Sequence, residues 1–186
     1  MEIYRIKVTL RDLKPPIWRR LLVPADLTLE QLHHVLQFAM GWGGHHLHEF
    51  SIGPERYGVP EDHDTINEKK VRLSSVLGGV GAKALYSYDF GDGWEHTVAV
   101  EKVLAPEPGQ AYPVCVAGKR RGPPEDCGGV PGYINLLDAI YDPKHREHEE
   151  MLEWLGGVID PEDFSIDHVN ARLAPMQRRR AKAQGS

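Results

Sequence analysis

Tyr4, Ile6, Val8 and Leu10 alternate with Arg5, Lys7 and Thr9 near the start of the chain, the period-two pattern of a strand with one face buried. Lys14-Pro15-Pro16 breaks the pattern, and Ile17 to Val23 reads as a second strand that ends at Pro24-Ala25-Asp26, so a hairpin is expected. The period then changes. Thr28 and Gln31 form a capping box, and Leu29, Leu32, Val35, Leu36 and Met40 recur at helical spacing up to the natural stop at Gly41. His46, His48, Phe50 and Ile52 alternate in a third strand, followed by a polar loop rich in breakers.

The next strand pair is the most specific local signal. Ala84–Phe90 and Trp94–Leu104 flank Asp92-Gly93, the composition of a two-residue type I′ turn whose central positions both need positive φ. Counting outward from such a turn pairs Phe90 with Glu95 and Asp89 with His96. A carboxylate and an imidazole then share a face, with Cβ atoms roughly 5 Å apart, beside the Trp94 indole. A longer turn would slip this register and separate the pair.

From 105 to 131 prolines and glycines are too dense for regular structure, which predicts a long loop of the functional kind. Helices follow. Pro131 suits a first helical turn, and Tyr133, Leu136, Leu137 and Ile140 form its apolar stripe. Asp142-Pro143 opens a second helix carrying His148, Met151, Leu152 and Leu155, which stops at Gly156-Gly157. Ile166, Val169 and Leu173 fit a third. Strands in the first half and helices in the second indicate a single α+β domain over 1–173, a mainly antiparallel sheet with helices packed on one face. Residues 174–186, with Arg178-Arg179-Arg180-Ala181-Lys182, read as a basic, disordered tail.

Composition narrows the classes. With 186 residues and 41% hydrophobic content the chain can bury a core, and a net charge of −5 argues against whole-surface attraction to nucleic acid or anionic membrane. No apolar run approaches the ~20 residues of a membrane span. The amphipathic amino terminus does not read as a signal peptide, so the expected compartment is the cytoplasm. Two cysteines, Cys115 and Cys127, exclude a disulfide framework.

YSYDFGDGWEHTVAVE, YPVCVAGKRRGPPEDCGG followed by GYINLLDAI, YRIKVTLRDLKPPIWRRLLVP and WGGHHLHEFSI together resemble the Ri-plasmid open-reading-frame-3-like family over roughly residues 2 to 173. The resemblance implies a compact α+β domain from bacteria or archaea, encoded near plasmid or insertion-element genes. The resemblance implies no particular activity; the expectation is a non-enzymatic binding or accessory role associated with plasmids or mobile elements, with nucleic acid or another protein as partner. Some such proteins carry a resolvase label, but Tyr4-Arg5-Ile6-Lys7-Val8-Thr9 has no serine nucleophile.

Three kinds of chemistry compete with a purely structural role for these residues. His46, His48, His96, Cys115 and Cys127 lead the metal-ligand candidates, a set that also takes in His45, Asp89, Glu125 and Asp126, with zinc the ion they suit, although no Cys-x-x-Cys knuckle fixes a tetrahedron. Asp89, His96 and Cys127 are the candidates for a hydrolase-like enzyme, the thiol preceding Gly128-Gly129 and a helix start. Lys119, Arg120 and Arg121, joined by Trp18, Arg19, Arg20 and the basic tail and with Glu125, Asp126 and Trp94 as further binding candidates, are candidates for binding an anion or nucleic acid. The structural alternative has Asp89 orienting His96 and the aromatics Trp42, Tyr86, Tyr88, Trp94 and Trp154 packing the sheet against its helices.

Overall fold

The computed structural model describes residues 1–60 and 64–184. One eight-stranded open sheet dominates, in the order β5-β4-β3-β6-β7-β1-β2-β8. Its strands are β1 (Ile3–Leu10), β2 (Trp18–Pro24), β3 (His48–Ile52), β4 (Glu55–Gly58), β5 (Thr65–Asn67), β6 (Lys83–Tyr88), β7 (Trp94–Leu104) and β8 (Val114–Lys119). The β4–β5 pair is parallel and all others are antiparallel. The helices are α1 (Leu29–Met40), the single turn α2 (Leu73–Val76), α3 (Gly129–Tyr141), α4 (His148–Leu155) and α5 (Ile166–Gln184). The protein is therefore an α+β domain.

The alternation read in the sequence is the alternation of burial. Ile6, Val8, Leu21, Val23, Ala84, Tyr86, Val98 and Val100 lie on the buried face, and the apolar stripe of α1 joins the same core. The capping box is formed, with Gln31 N donating to Thr28 Oγ1 and Thr28 N to Gln31 Oε1. On the other face of the sheet, Arg20 grips Glu101 bidentately at 2.7 and 2.9 Å, with Arg5 at 3.1 Å.

Three expectations change. The breaker-rich stretch contains β8, which pairs with β2 from Leu22↔Val114 to Trp18↔Lys119. An edge strand with a single neighbour tolerates flanking prolines and glycines that a central strand would not. The basic tail continues α5 to Gln184 through Pro175, where a disordered segment was expected. Its anchors are non-local: Gln177 donates to the Pro113 carbonyl at 2.8 Å, Met176 packs on the core, and Arg180 pairs with Asp26. Gly185 and Ser186, the end of that expected tail, lie outside the described residues. Finally, Trp154 is 49% exposed, whereas Trp42, Tyr86, Tyr88 and Trp94 are buried as expected.

A buried polar layer sits between α1 and the sheet. Tyr86 Oη accepts from Gln37 Nε2 at 2.8 Å and lies 2.7 Å from His33 Nδ1, while His33 stacks on His48 with ring centroids 3.4 Å apart. His48 Nε2 meets Glu68 Oε2 at 2.8 Å. Burial, then the neighbouring His48, pushes the His33 imidazole down to about 2, and burial pushes His96 down to about 4. The unfolded chain protonates both near 6.5, so their contribution to stability is complete above that pH. It is lost as the pH falls from there towards the folded values. Chemical denaturation at pH 7.5 and pH 5 should show a loss of about 2 kcal/mol for each imidazole, on the linkage slope of about 1.4 kcal/mol per pH unit. In a His96→Asn variant the loss should be smaller than in the wild type.

Candidate metal centre

The β6–β7 connection decides the site. Tyr88 pairs with Trp94 and Tyr86 with His96, so the turn is a five-residue loop, Asp89–Gly93, and not the two-residue turn expected. Asp89 adopts φ 57°, its Oδ1 accepts from Gly91 N at 3.0 Å and Asp92 N at 3.3 Å, and Gly93 N donates to the Asp89 carbonyl at 2.6 Å. Aspartate closes such turns by accepting from amides two and three positions on, and tolerates the left-handed region better than most residues. The register slips, and the expected Asp89–His96 pair does not form. His96 is instead fully buried, its Nδ1 3.3 Å from the Tyr86 carbonyl and its ring edge-on to Trp42.

Asp89 finds a different imidazole. His46 lies in the connection between α1 and β3, with Nε2 3.6 Å from Asp89 Oδ2 and 3.0 Å from Asp126 Oδ1. These three ligand atoms all lie within 4.8 Å of one another. Asp126 comes from the third segment, between β8 and α3, and also has positive φ, 59°. Exposure is graded: the side chains of Asp89, His46 and Asp126 are 11%, 29% and 67% accessible. One oxygen of Asp89 is consumed by its own turn, which leaves Oδ2 pointing at the cluster.

The surrounding contacts hold the three segments in place. Glu125 accepts from Tyr88 Oη at 2.5 Å and from Gly43 N at 3.0 Å, and Trp42 donates through Nε1 to the Pro123 carbonyl at 2.8 Å. Trp42 stacks on Tyr88 with centroids 5.0 Å apart. Burial, then the Glu125 carboxylate, raises the Tyr88 hydroxyl well above its ordinary range, so this bond is a neutral hydroxyl donating to a carboxylate. Asp92 Oδ2 accepts from Gly128 N at 3.1 Å and ties the hairpin loop to the start of α3. A Cβ built on Gly129 would overlap the Asp92 carbonyl oxygen, so only glycine permits this approach.

Ligand atoms ~2.0–2.2 Å from a zinc or similar ion stand about 3.0–3.6 Å apart. The two measured His46 distances fall at that spacing. One imidazole and two carboxylates form a mixed nitrogen–oxygen set suited to zinc, manganese or iron, more than to copper(I) or to an all-oxygen calcium cage.

The other candidates are drawn into structure. His48 is stacked on His33 and paired with Glu68, so the expected His46–His48 ligand pair is split between a loop and a strand. Cys115 is buried in β8 opposite Leu21, and both cysteines are free thiols. Burial, then the nearby Asp92, pushes the Cys127 thiol up to about 12, the reverse of what a nucleophile needs. Iodoacetamide at pH 8 should therefore label Cys127 more than about 100-fold more slowly than a free thiol. A rate near that of a free thiol would contradict this environment. Arg120 is 6% exposed, donating to Glu162 at 2.6 Å and to the Pro15 carbonyl at 2.8 Å, and Arg121 lies 3.7 Å from Asp163. Lys119 is exposed, whereas Trp94 is 1% exposed and cannot form a binding surface.

His46, Asp89 and Asp126 all belong to the wide set of possible ligands read from the sequence, but nothing there singles out these three. Their convergence depends on the length of the β6–β7 loop, which no local pattern beyond Asp-Gly reports.

Comparison with known proteins agrees with the fold and names no reaction. The model of the plasmid pRiA4b ORF-3-like protein family matches residues 2–168. The chain is 41% identical over 159 residues to the uncharacterised protein y4hQ of Sinorhizobium fredii, covering 83% of this chain and 81% of that one. It is also similar to the crystal structure of a protein of unknown function, MM3350, from Methanosarcina mazei Go1. That similarity has a TM-score of 0.83 at 40% identity, over 89% of this chain and 96% of that one.

Proposed function

This chain belongs to the plasmid pRiA4b ORF-3-like family, and from its geometry we propose that it is a divalent-cation-binding module with His46 Nε2, Asp89 Oδ2 and Asp126 Oδ1 as its ligands. The observation that carries the reading is the convergence of an imidazole and two carboxylates from three distant segments. Two of them stand on aspartates at positive φ, a region that aspartate tolerates better than most residues. Three protein ligands leave coordination positions open, and the exposed Asp126 side turns those positions towards solvent. A bound ion there serves a binding or accessory role by accepting an oxygen ligand from a partner.

A hydrolytic role for the same ion is the second reading, favoured by Glu125, which is adjacent to Asp126 and has its carboxylate fixed by Tyr88 and Gly43. Contact with nucleic acid rests on less. Its expected basic cluster is divided, with Arg120 buried against Glu162 while Lys119 and Arg121 stay exposed, as do Arg178 and Arg179.

Isothermal titration of untagged, chelator-stripped protein with zinc and manganese tests the proposal. One saturable site per chain, lost in His46→Ala with an unchanged melting profile, is expected. Absence of saturable binding, or a site indifferent to His46→Ala, would overturn it.

A further inference from the structure

A groove of about 330 Å³, bordered also by Glu125, lies between the end of α1, residues 121–125 and the start of α5. Its walls are apolar and polar in about equal measure, the apolar half from Phe38, Met40, Trp42, Pro123, Pro124 and Phe164. Three arginines also line it: Arg19, Arg121 and Arg172.

Arg19 is the unusual one. It sits on the buried face of β2 and is 2% exposed. Nε donates to the Ala39 carbonyl at 2.8 Å, and Nη1 to the carbonyls of Trp18 at 2.9 Å and Lys119 at 3.0 Å. Nη2 has no hydrogen-bond partner among the described residues, and no carboxylate there forms an ion pair with the guanidinium. Nη2 is also not among the side-chain atoms sealed from solvent, and the groove is the open space that Arg19 borders. Its flat face covers the Phe164 ring at 4.5 Å. Burial depresses this guanidinium to about 10, so the cation is held without a counterion at a cost that a bound anion would relieve.

The neighbours reinforce the sign. Arg172 spends Nη2 on the Trp42 carbonyl at 2.8 Å and lies over Phe38, and Arg121 is half-exposed with only the 3.7 Å contact to Asp163. Two carboxylates, Glu125 and Asp163, face three guanidinium groups, and Glu125 has both oxygens engaged by Tyr88 and Gly43, so the lining keeps a net positive charge. The first turn of α5 also borders the groove, where Ser165 Oγ accepts from His168 N at 3.2 Å.

We infer that this groove binds a small molecule with an anionic oxyacid head on an apolar body, the head seated on Arg19 Nη2 with Arg121 and Arg172 beside it. Guanidinium donors match carboxylate and phosphate oxygens in plane, and the volume lies in the range of small-molecule sites. The apolar half of the lining, beside the guanidinium groups, suits an apolar body joined to the anionic head.

The probes are phenyl phosphate, benzoate, inorganic phosphate and benzyl alcohol, titrated calorimetrically into the full chain with chelator present, so that the cation site cannot contribute. Saturable binding of phenyl phosphate or benzoate is expected, at least tenfold tighter than inorganic phosphate or benzyl alcohol and at least tenfold weaker in Arg121→Ala. The better of the two aromatic anions identifies the head group as phosphate or carboxylate. Arg19→Gln should abolish binding. Should it melt below the assay temperature, Arg172→Gln takes its place and should weaken binding at least tenfold. No saturable binding of either aromatic anion, affinity no better than that of benzyl alcohol or inorganic phosphate, or affinity unchanged in Arg121→Ala would overturn the inference.

Discussion

Replacing Asp89 by asparagine should lower divalent-cation affinity by more than about 100-fold while leaving the fold in place. Loss of an outer-shell partner alone costs metal sites about 10–100-fold, so loss of a direct ligand should exceed that range. The substitution separates the two jobs of this residue. Oδ1 accepts from Gly91 N and Asp92 N, and an asparagine carbonyl can do the same at positive φ. What changes is Oδ2, which becomes an uncharged NH2 donor facing His46 and Asp126. Calorimetry beside a thermal melt checks both halves. Wild-type affinity in the variant would show that Oδ2 is not a ligand.

The largest stability effect is expected at Gly129. A Cβ there would overlap the Asp92 carbonyl oxygen and stand 3.1 Å from its carbon, and the residue has φ +67°. The left-handed backbone alone costs about 1–2 kcal/mol for a residue with a Cβ, and the collision is with backbone that has no rotamer to escape into. Gly129→Ala should therefore cost more than about 3 kcal/mol, roughly 6–12 °C in melting temperature for a chain of this size. Gly93 is the control. It lies in the hairpin loop and has φ +69°, yet a Cβ there meets nothing within 4 Å, so Gly93→Ala should cost only the backbone term of about 1–2 kcal/mol. Equal losses at the two positions would show that the hairpin loop does not dock on α3. Because Asp92 also accepts from Gly128 N, Gly129→Ala should weaken cation binding as well.

What the sequence made legible follows from how local each cause is. The strands β1, β2, β6 and β7 and the helix α1 were readable because period two, period 3.6 and a capping box are written within a few residues. Strand β8 was not. Val114–Lys119 is extended because it hydrogen-bonds to β2 about a hundred positions earlier, and its flanking prolines and glycines hide that partner. The carboxyl-terminal extension of α5 was missed for the same reason, since Asp26, Pro113 and the core hold it.

The site shows the limit most clearly. Asp92-Gly93 is a strong hairpin signal and a hairpin is present, but the turn type sets the register. Five loop residues in place of two removed the Asp89–His96 pair. The same longer loop carries Asp89 towards His46. The basic run Lys119–Arg121 looked like a surface feature, yet its middle member is buried against Glu162. Arg19, read with Trp18 and Arg20 as an addition to that basic surface, stands instead on the buried face because the inward positions of β2 include it.

The central claim is that His46, Asp89 and Asp126 hold one divalent cation, and anomalous diffraction from zinc-soaked crystals at the zinc edge tests it most directly. A single strong peak is expected about 2.0–2.2 Å from His46 Nε2, Asp89 Oδ2 and Asp126 Oδ1, absent in crystals of Asp89→Asn. A fully soaked crystal with no peak between these atoms, or with zinc only at other sites, would contradict it.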